Sequence, residues 1–197
     1  MGHASVGPVP DSRPAAVVLC GGQGRRFGGD KTSADLAGRP ILDHLLDDLP
    51  ANWDVLCVGQ RRPTGREVRW CREEPPGGGP VAALAAALPS VSSPVVVLLA
   101  GDMPYAGTAA AMLADRLAEL DGVEAVVGTD GDHRLQPLLG AYRAEALRRA
   151  LPGSPAGTPL MRLMDRLVVV TDPVGDQAGL DVDTPDDLEQ ARHRLGG

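Results

Sequence analysis

The run "PVVVLLA" (94–100) is apolar throughout, with no polar residue at alternate positions. A strand of that kind hides both faces, and hiding both faces requires helices above and below the sheet. "AAVVLC" (15–20) reads as a buried first strand, and "DVLCVG" (54–59), "VEAVVG" (123–128) and "LVVVT" (167–171) as further strands. Between them lie helical patterns. "PILDHLLDDL" (40–49) sets Ile41, Leu42, Leu45, Leu46 and Leu49 at helical spacing. "PVAALAAAL" (80–88) opens with a proline, which suits the first position of a helix. "TAAAMLADRLAEL" (108–120) is helical, and "AEALRRAL" and "PLMRLMDRL" are short helices. "EVRWC" (67–71) alternates and reads as an edge strand. "HRLQPLLGAYR" (133–143) contains Pro137, whose missing N–H speaks against a regular central strand. Near the end, Thr184, Pro185 and Asp187 suit the cap, first and third positions of a last helix. Strand–helix alternation predicts an α/β protein: three α/β/α layers around a mostly parallel sheet, with right-handed crossovers. Ligands of such sheets bind at the C-terminal ends of the strands.

The 197 residues suit one domain, expected over 14–197, with residues 1–13 as a flexible N-terminal tail lacking the apolar core of a signal peptide. Aromatic residues are only 3%, so the core must be aliphatic. The formal net charge is −7 and no block of basic residues occurs, which argues against a nucleic-acid surface. No apolar run is long enough to span a membrane. Cys20, Cys57 and Cys71 form no C-x-x-C pair, which predicts reduced thiols and a cytoplasmic protein.

Directly after the first strand comes "LCGGQGRRFGGDKT" (19–32), with five glycines. Its Lys31 is the only lysine among the chain's 19 basic residues. A glycine-rich turn in this place exposes backbone N–H groups to phosphate. The dinucleotide fingerprint G-x-G-x-x-G fails, because Phe27 stands where its third glycine belongs. The P-loop pattern starts at Gly24 but loses register at Asp30, which separates Gly29 from Lys31.

The block resembles L-x-G-G-x-[GS]-x-R-[MF]-G-x-D-K, the signature of the molybdenum cofactor guanylyltransferases within the nucleotidyltransferase superfamily. The resemblance continues in order through "LAGRPILDHLLDDL", "REEPPGGGPVAALAAAL", "LLAGDMPY", "RLQPLLGAYR" and "DVDTPDDL". The first block is specific, and the order and spacing of the others strengthen it. The resemblance implies a Rossmann-like nucleotidyltransferase fold and a triphosphate site. Leu19, Cys20, Gly21, Gly22 and Gly24 correspond to its backbone cradle, and Arg25 and Lys31 to its charges. Arginine offers a planar donor fork and lysine a compact point charge. Arg26 is open between ligand contact and solvated surface. Asp102 follows a buried strand and corresponds to a Mg²⁺ ligand, and a simple Asx turn is its structural alternative. Asp181 and Asp183, where the family usually has asparagine, would complete the metal site or merely precede the last helix. Val58 stands at a family asparagine and offers only its backbone. Glu74 stands at a family aspartate that contacts the nucleotide, with Glu73 a competing candidate. Gly79 and Pro80 end a glycine-rich loop that approaches the nucleotide. His133, Arg134 and Arg143 lie in the region that faces the acceptor, while Arg148 and Arg149 read as solvated helix faces.

What the resemblance implies is transfer of GMP from GTP to molybdenum–molybdopterin, with Mg²⁺ as cofactor and pyrophosphate released. GTP and molybdopterin are the expected partners, with molybdoenzymes or their chaperones downstream. The "GG" and "DK" elements favour guanine over cytosine. Cytidylyl transfer, a sugar-phosphate acceptor, and a non-catalytic adaptor that binds nucleotide stay open as alternatives.

Overall fold

The computed structural model describes residues 13–21, 31–179, 182 and 187. In chain order the strands are β1 (Ala15–Leu19), β2 (Asp35–Leu36), β3 (Arg39–Pro40), β4 (Asp54–Val58), β5 (Arg69–Cys71), β6 (Val95–Ala100), β7 (Ala125–Thr129), β8 (Leu135–Arg143) and β9 (Val169–Pro173). The helices are α1 (Ile41–Asp48), α2 (Pro80–Ala87), α3 (Gly107–Glu119), α4 (Ala144–Ala150), α5 (Met161–Met164) and α6 (Gly175–Ala178). Seven strands form one sheet in the order β5-β4-β1-β6-β8-β7-β9, and β2 with β3 forms a small separate hairpin. Only β8 runs against its sheet neighbours.

The mostly parallel three-layer sheet agrees with the expectation. Strand alternation splits the core in two. Ala16, Val18 and Cys20 point to the layer of α1, α3 and α6, while Ala15, Val17 and Leu19 point to the layer of α2, α4 and α5. Leu42, Leu45 and Leu46 of α1 are fully buried, as their spacing requires. The Asp48 carboxylate accepts N–H donors from Gly107 at 2.8 Å and Thr108 at 3.2 Å, so α1 caps α3 from outside. Gly107 is needed there, because a Cβ would sit 2.4 Å from the Asp48 carbonyl carbon.

One expectation is overturned. Residues 135–143 form a central strand despite Pro137. Pairing with β6 reaches only Leu139, and the register with β7 jumps from Gly140 to Gln136. Pro137 therefore lies in a bulge where no ladder N–H is demanded of it. The bulge is braced by Tyr142, a fully buried side chain whose hydroxyl donates to the Pro137 carbonyl at 2.7 Å. Burial drives that phenol's pKa far above its ordinary value.

Candidate active site

The chain leaves β1 to build β4 and β5 on one side, then crosses to β6 on the other. The order of strands thus reverses beside β1, where open α/β sheets bind ligands. At this edge the ladder runs one residue past each strand. Cys20 N–H donates to the Val58 carbonyl at 2.8 Å, Gly101 N–H to Leu19 at 2.9 Å, and Gly59 N–H to Cys71 at 2.9 Å. Gly101 is a close-approach position: a Cβ would lie 3.1 Å from Thr32 and 3.2 Å from the Cys20 sulfur. The floor beneath the candidate site is therefore a set of packed strand ends.

Leu19 and Val58 bury their side chains in the core and lend their carbonyls to Gly101 and Cys20. They shape the edge from below. Cys20 is also buried, while Gly21 is exposed. Lys31 opens a 3-10 turn, Lys31–Ser33, whose Thr32 is buried against Gly101. Gly22, Gly24, Arg25 and Arg26 lie outside the described residues, and so do Asp181 and Asp183.

Asp102 lies just past β6, after Gly101, and is half-buried. Its carbonyl accepts the N–H of Val182 at 3.0 Å. Val182 is fully buried with Leu36 and Ile41, with Tyr105 and Ala34 packed around them. The β2–β3 hairpin and the start of α1 thus make a socket that fixes Val182 beside Asp102. Val182 is the residue between the two other predicted metal ligands. Among the described residues no three His, Cys, Asp or Glu side chains converge as a metal cluster.

Beyond β5, Glu73 accepts the Gly77 N–H at 2.6 Å and so closes the turn of the glycine-rich loop. Glu74 is exposed and has no hydrogen bond or ion pair among the described residues, which leaves its carboxylate available to a ligand. Gly79, at φ 89°, precedes Pro80 at the start of α2, whose N-terminus has no side-chain cap. An open cleft of about 660 Å³ runs along the edge of β5, from Arg69 and Ser90 at its start to Cys71, Gly59 and Gln60 at its end. That size is within the range of small-ligand sites. Burial raises the Cys71 thiol pKa above its ordinary value.

Sequence reasoning missed Arg62. Its guanidinium donates to the Thr32 hydroxyl, to the Ser33 hydroxyl at 2.8 Å, and to the Cys20 carbonyl at 3.3 Å. The same group lies 5.7 Å from the centre of the Trp70 ring. The pair of arginines before a proline in "QRRPTG" was the only signal, and it does not say which of the two turns inward.

The acceptor-side candidates divide. Arg143 donates to the Leu117 and Leu120 carbonyls at 2.9 and 3.4 Å, so it caps the end of α3. Arg134 is exposed beside Asp132 at 3.7 Å. His133 sits in the β7–β8 turn at φ 61°, and Asp130 accepts N–H groups of Asp132 and Arg134 there. Those bonds hold the Asp130 carboxyl below its ordinary pKa. Arg148 and Arg149 are more than solvated faces: Arg148 donates to the Val91 carbonyl at 2.6 Å, and Arg149 pairs with Glu124.

A mostly parallel sheet with a glycine-rich segment after β1 and an aspartate after β6 defines a protein of the nucleotidyltransferase fold class. Solved structures agree at the level of fold. The molybdopterin-guanine dinucleotide biosynthesis protein A of Archaeoglobus fulgidus superposes with a TM-score of 0.73 at 24% identity, covering 92% of this chain and 98% of that one. Rv0371C of Mycobacterium tuberculosis, solved in complex with manganese, gives a TM-score of 0.65 at 20% identity, covering 92% and 98%. The family model for the MobA-like NTP transferase domain matches residues 16–171, and the chain belongs to that family. A relative from Natronomonas pharaonis, named probable molybdenum cofactor guanylyltransferase, is 34% identical over 91% of this chain and 96% of its own length.

Proposed function

We propose that the chain is a molybdenum cofactor guanylyltransferase, which transfers GMP from GTP to the phosphate of molybdenum–molybdopterin. The observation that carries this reading is the meeting of three distant segments at one sheet edge. The turn that begins with Lys31 packs on Gly101, and Asp102 beside it is bonded to Val182. The near full-length relative named for this activity supports the same reading.

In the reaction an oxygen of the acceptor phosphate attacks the α-phosphorus of GTP. A new P–O bond forms, the bond to the bridging oxygen breaks, and pyrophosphate leaves with the electron pair. The acceptor phosphate is already anionic at neutral pH, so no general base is needed. The protein's task is positioning and neutralisation of charge. The amides of Gly21, Gly22 and Gly24 cradle the triphosphate, and Lys31 sets a point charge against it. Arg25 adds a donor fork, and the signature's own arginine falls in register on Arg26. Glu74 suits the N1–H and N2–H donors of guanine, with Gly79 and Pro80 closing on the nucleotide.

A divalent ion fits the donor set, because carboxylate oxygens are hard ligands suited to Mg²⁺. Asp102 would hold it, with Asp181 and Asp183, the two chain neighbours of its backbone partner Val182. The Mycobacterium tuberculosis protein, solved in complex with manganese, supports the use of a divalent ion. Bound there, the ion neutralises charge on triphosphate oxygens. No described helix is long and apolar enough to cross a membrane. Cys20, Cys57 and Cys71 are thiols rather than disulfides, which suits the cytoplasm.

The test is pyrophosphate release from purified protein with Mg²⁺, molybdopterin and each of GTP, CTP, ATP and UTP. GTP is expected to react fastest. Faster release with CTP overturns the guanine assignment, and faster release with mannose-1-phosphate as acceptor overturns the molybdopterin assignment. GTP binding without release from any acceptor would favour the adaptor.

A further inference from the structure

Arg62 joins both ends of the glycine-rich segment. Its Nη2 donates to the Cys20 carbonyl, the last residue before the glycines, at 3.3 Å. Its Nη1 donates to the Thr32 and Ser33 hydroxyls, directly after Lys31. Its Nε donates to the Gln60 carbonyl at 3.3 Å, which anchors the guanidinium to its own loop. Trp70, on the edge strand β5, supports the group at 5.7 Å from the ring centre. Thr32 is only 7% exposed, so its bond is partly shielded from water, where hydrogen bonds to a charged group count most, while the Ser33 bond is exposed.

Eleven residues, 21–31, separate Cys20 from Thr32 in the chain. A planar fork bonded to Cys20 on one side of that span and to Thr32 and Ser33 on the other fixes the distance between its ends. Ordering a phosphate-binding loop before the ligand arrives removes an entropic cost from binding. Lysine is no substitute, since one ammonium on a flexible stem cannot hold this planar set of acceptors.

We propose that Arg62, seated on Trp70, is a positioning residue that clasps the two ends of the glycine-rich loop and so presets the triphosphate cradle and Lys31. The inference rests on the reading of that loop as a triphosphate site. It does not depend on guanine or on the acceptor.

The experiment measures dissociation constants for Mg·GTP and for inorganic tripolyphosphate, with KM for GTP and for molybdopterin, in the wild type and in Arg62→Ala, Arg62→Lys and Ser33→Ala. Arg62→Ala is expected to weaken both ligands about tenfold and raise KM for GTP equally, with KM for molybdopterin within twofold of wild type. Arg62→Lys is expected to remain impaired. Ser33→Ala, at an exposed hydroxyl, is expected to weaken binding about threefold and to show coupling with Arg62→Ala in a double-mutant cycle. If Arg62→Ala fails to fold, the lysine and serine variants decide. Wild-type affinity in those two variants, full rescue by lysine, or an equal rise in both KM values overturns the clasp. If the wild type binds tripolyphosphate but never uses GTP, the guanylyl reading fails while the clasp is still judged by the affinities. If the wild type binds no tripolyphosphate, both fail.

Discussion

On the β1 side of the sheet, Arg62 reaches across to side chains and a carbonyl that frame the glycine-rich loop. On the β8 side, Arg143 reaches the carbonyls at the end of α3, Arg148 those after α2, and Arg166 the Ala150 carbonyl that ends α4. The chemistry is the same planar donor fork, but the acceptors differ. Carbonyls at helix ends need partners for stability alone. The arginines around β8 therefore hold the scaffold, as Arg66 does at the end of α1, while Arg62 holds the two ends of the glycine-rich segment. The glycines divide in the same way. Gly101 brings Thr32 and Cys20 together at the site edge, whereas Gly128 makes room for Val174 in the β7–β8 bulge.

This contrast is most sharply broken or upheld at the carboxylate after β6. Asp102→Asn keeps size and polarity while removing the charge that would hold a divalent ion. GMP transfer is expected to fall by about a hundredfold or more, with thermal stability unchanged. Retained activity would mean that the β1–β6 edge is scaffold like the rest. Gly101→Val comes next. The added side chain meets Thr32, the Cys20 sulfur and the Leu19 carbonyl at 3.1 to 3.3 Å. A loss of about 1–3 kcal/mol by denaturant unfolding is expected, together with weakened GTP binding. Arg143→Ala tests the other half: stability should fall by about 1–2 kcal/mol while KM for GTP and for the acceptor stays as in the wild type. A raised acceptor KM would return Arg143 to the site.

The smallest effect belongs to Asp130 in the β7–β8 turn. Its folded pKa is lowered by backbone N–H donors, those of Arg134 foremost. The stabilisation is present above the unfolded pKa and is lost as pH falls through the folded value. Asp130→Asn should therefore melt slightly lower than wild type at pH 7, and the two melting curves should converge in acid. A gap that persists at low pH would show that the charge is not the cause.

Much of this architecture was legible in the chain. "PVVVLLA" demanded cover on both faces, and β6 is buried between the two helical layers. Pro80 marked the first residue of α2. β8 was hidden because Pro137 is forbidden only where a ladder N–H is required, and a bulge removes that requirement without leaving its own sign. The candidate site was half legible. The glycine block, Asp102 and Glu74 could be picked out by type and order. Arg62 could not, because its partners Cys20, Thr32 and Ser33 are distant in sequence, and residue order does not encode which arginine of a pair faces inward. The socket that seats Val182 was hidden for the same reason: Leu36 and Ile41 read as ordinary core residues until the hairpin brings them together.

Mass spectrometry of the reaction product tests the central claim most directly. Wild-type protein with molybdopterin, GTP and Mg²⁺ is predicted to yield molybdopterin heavier by one GMP unit. Lys31→Ala is predicted to yield about a hundredth as much in the same time. No GMP adduct from the wild type, or an undiminished yield from Lys31→Ala, would contradict it.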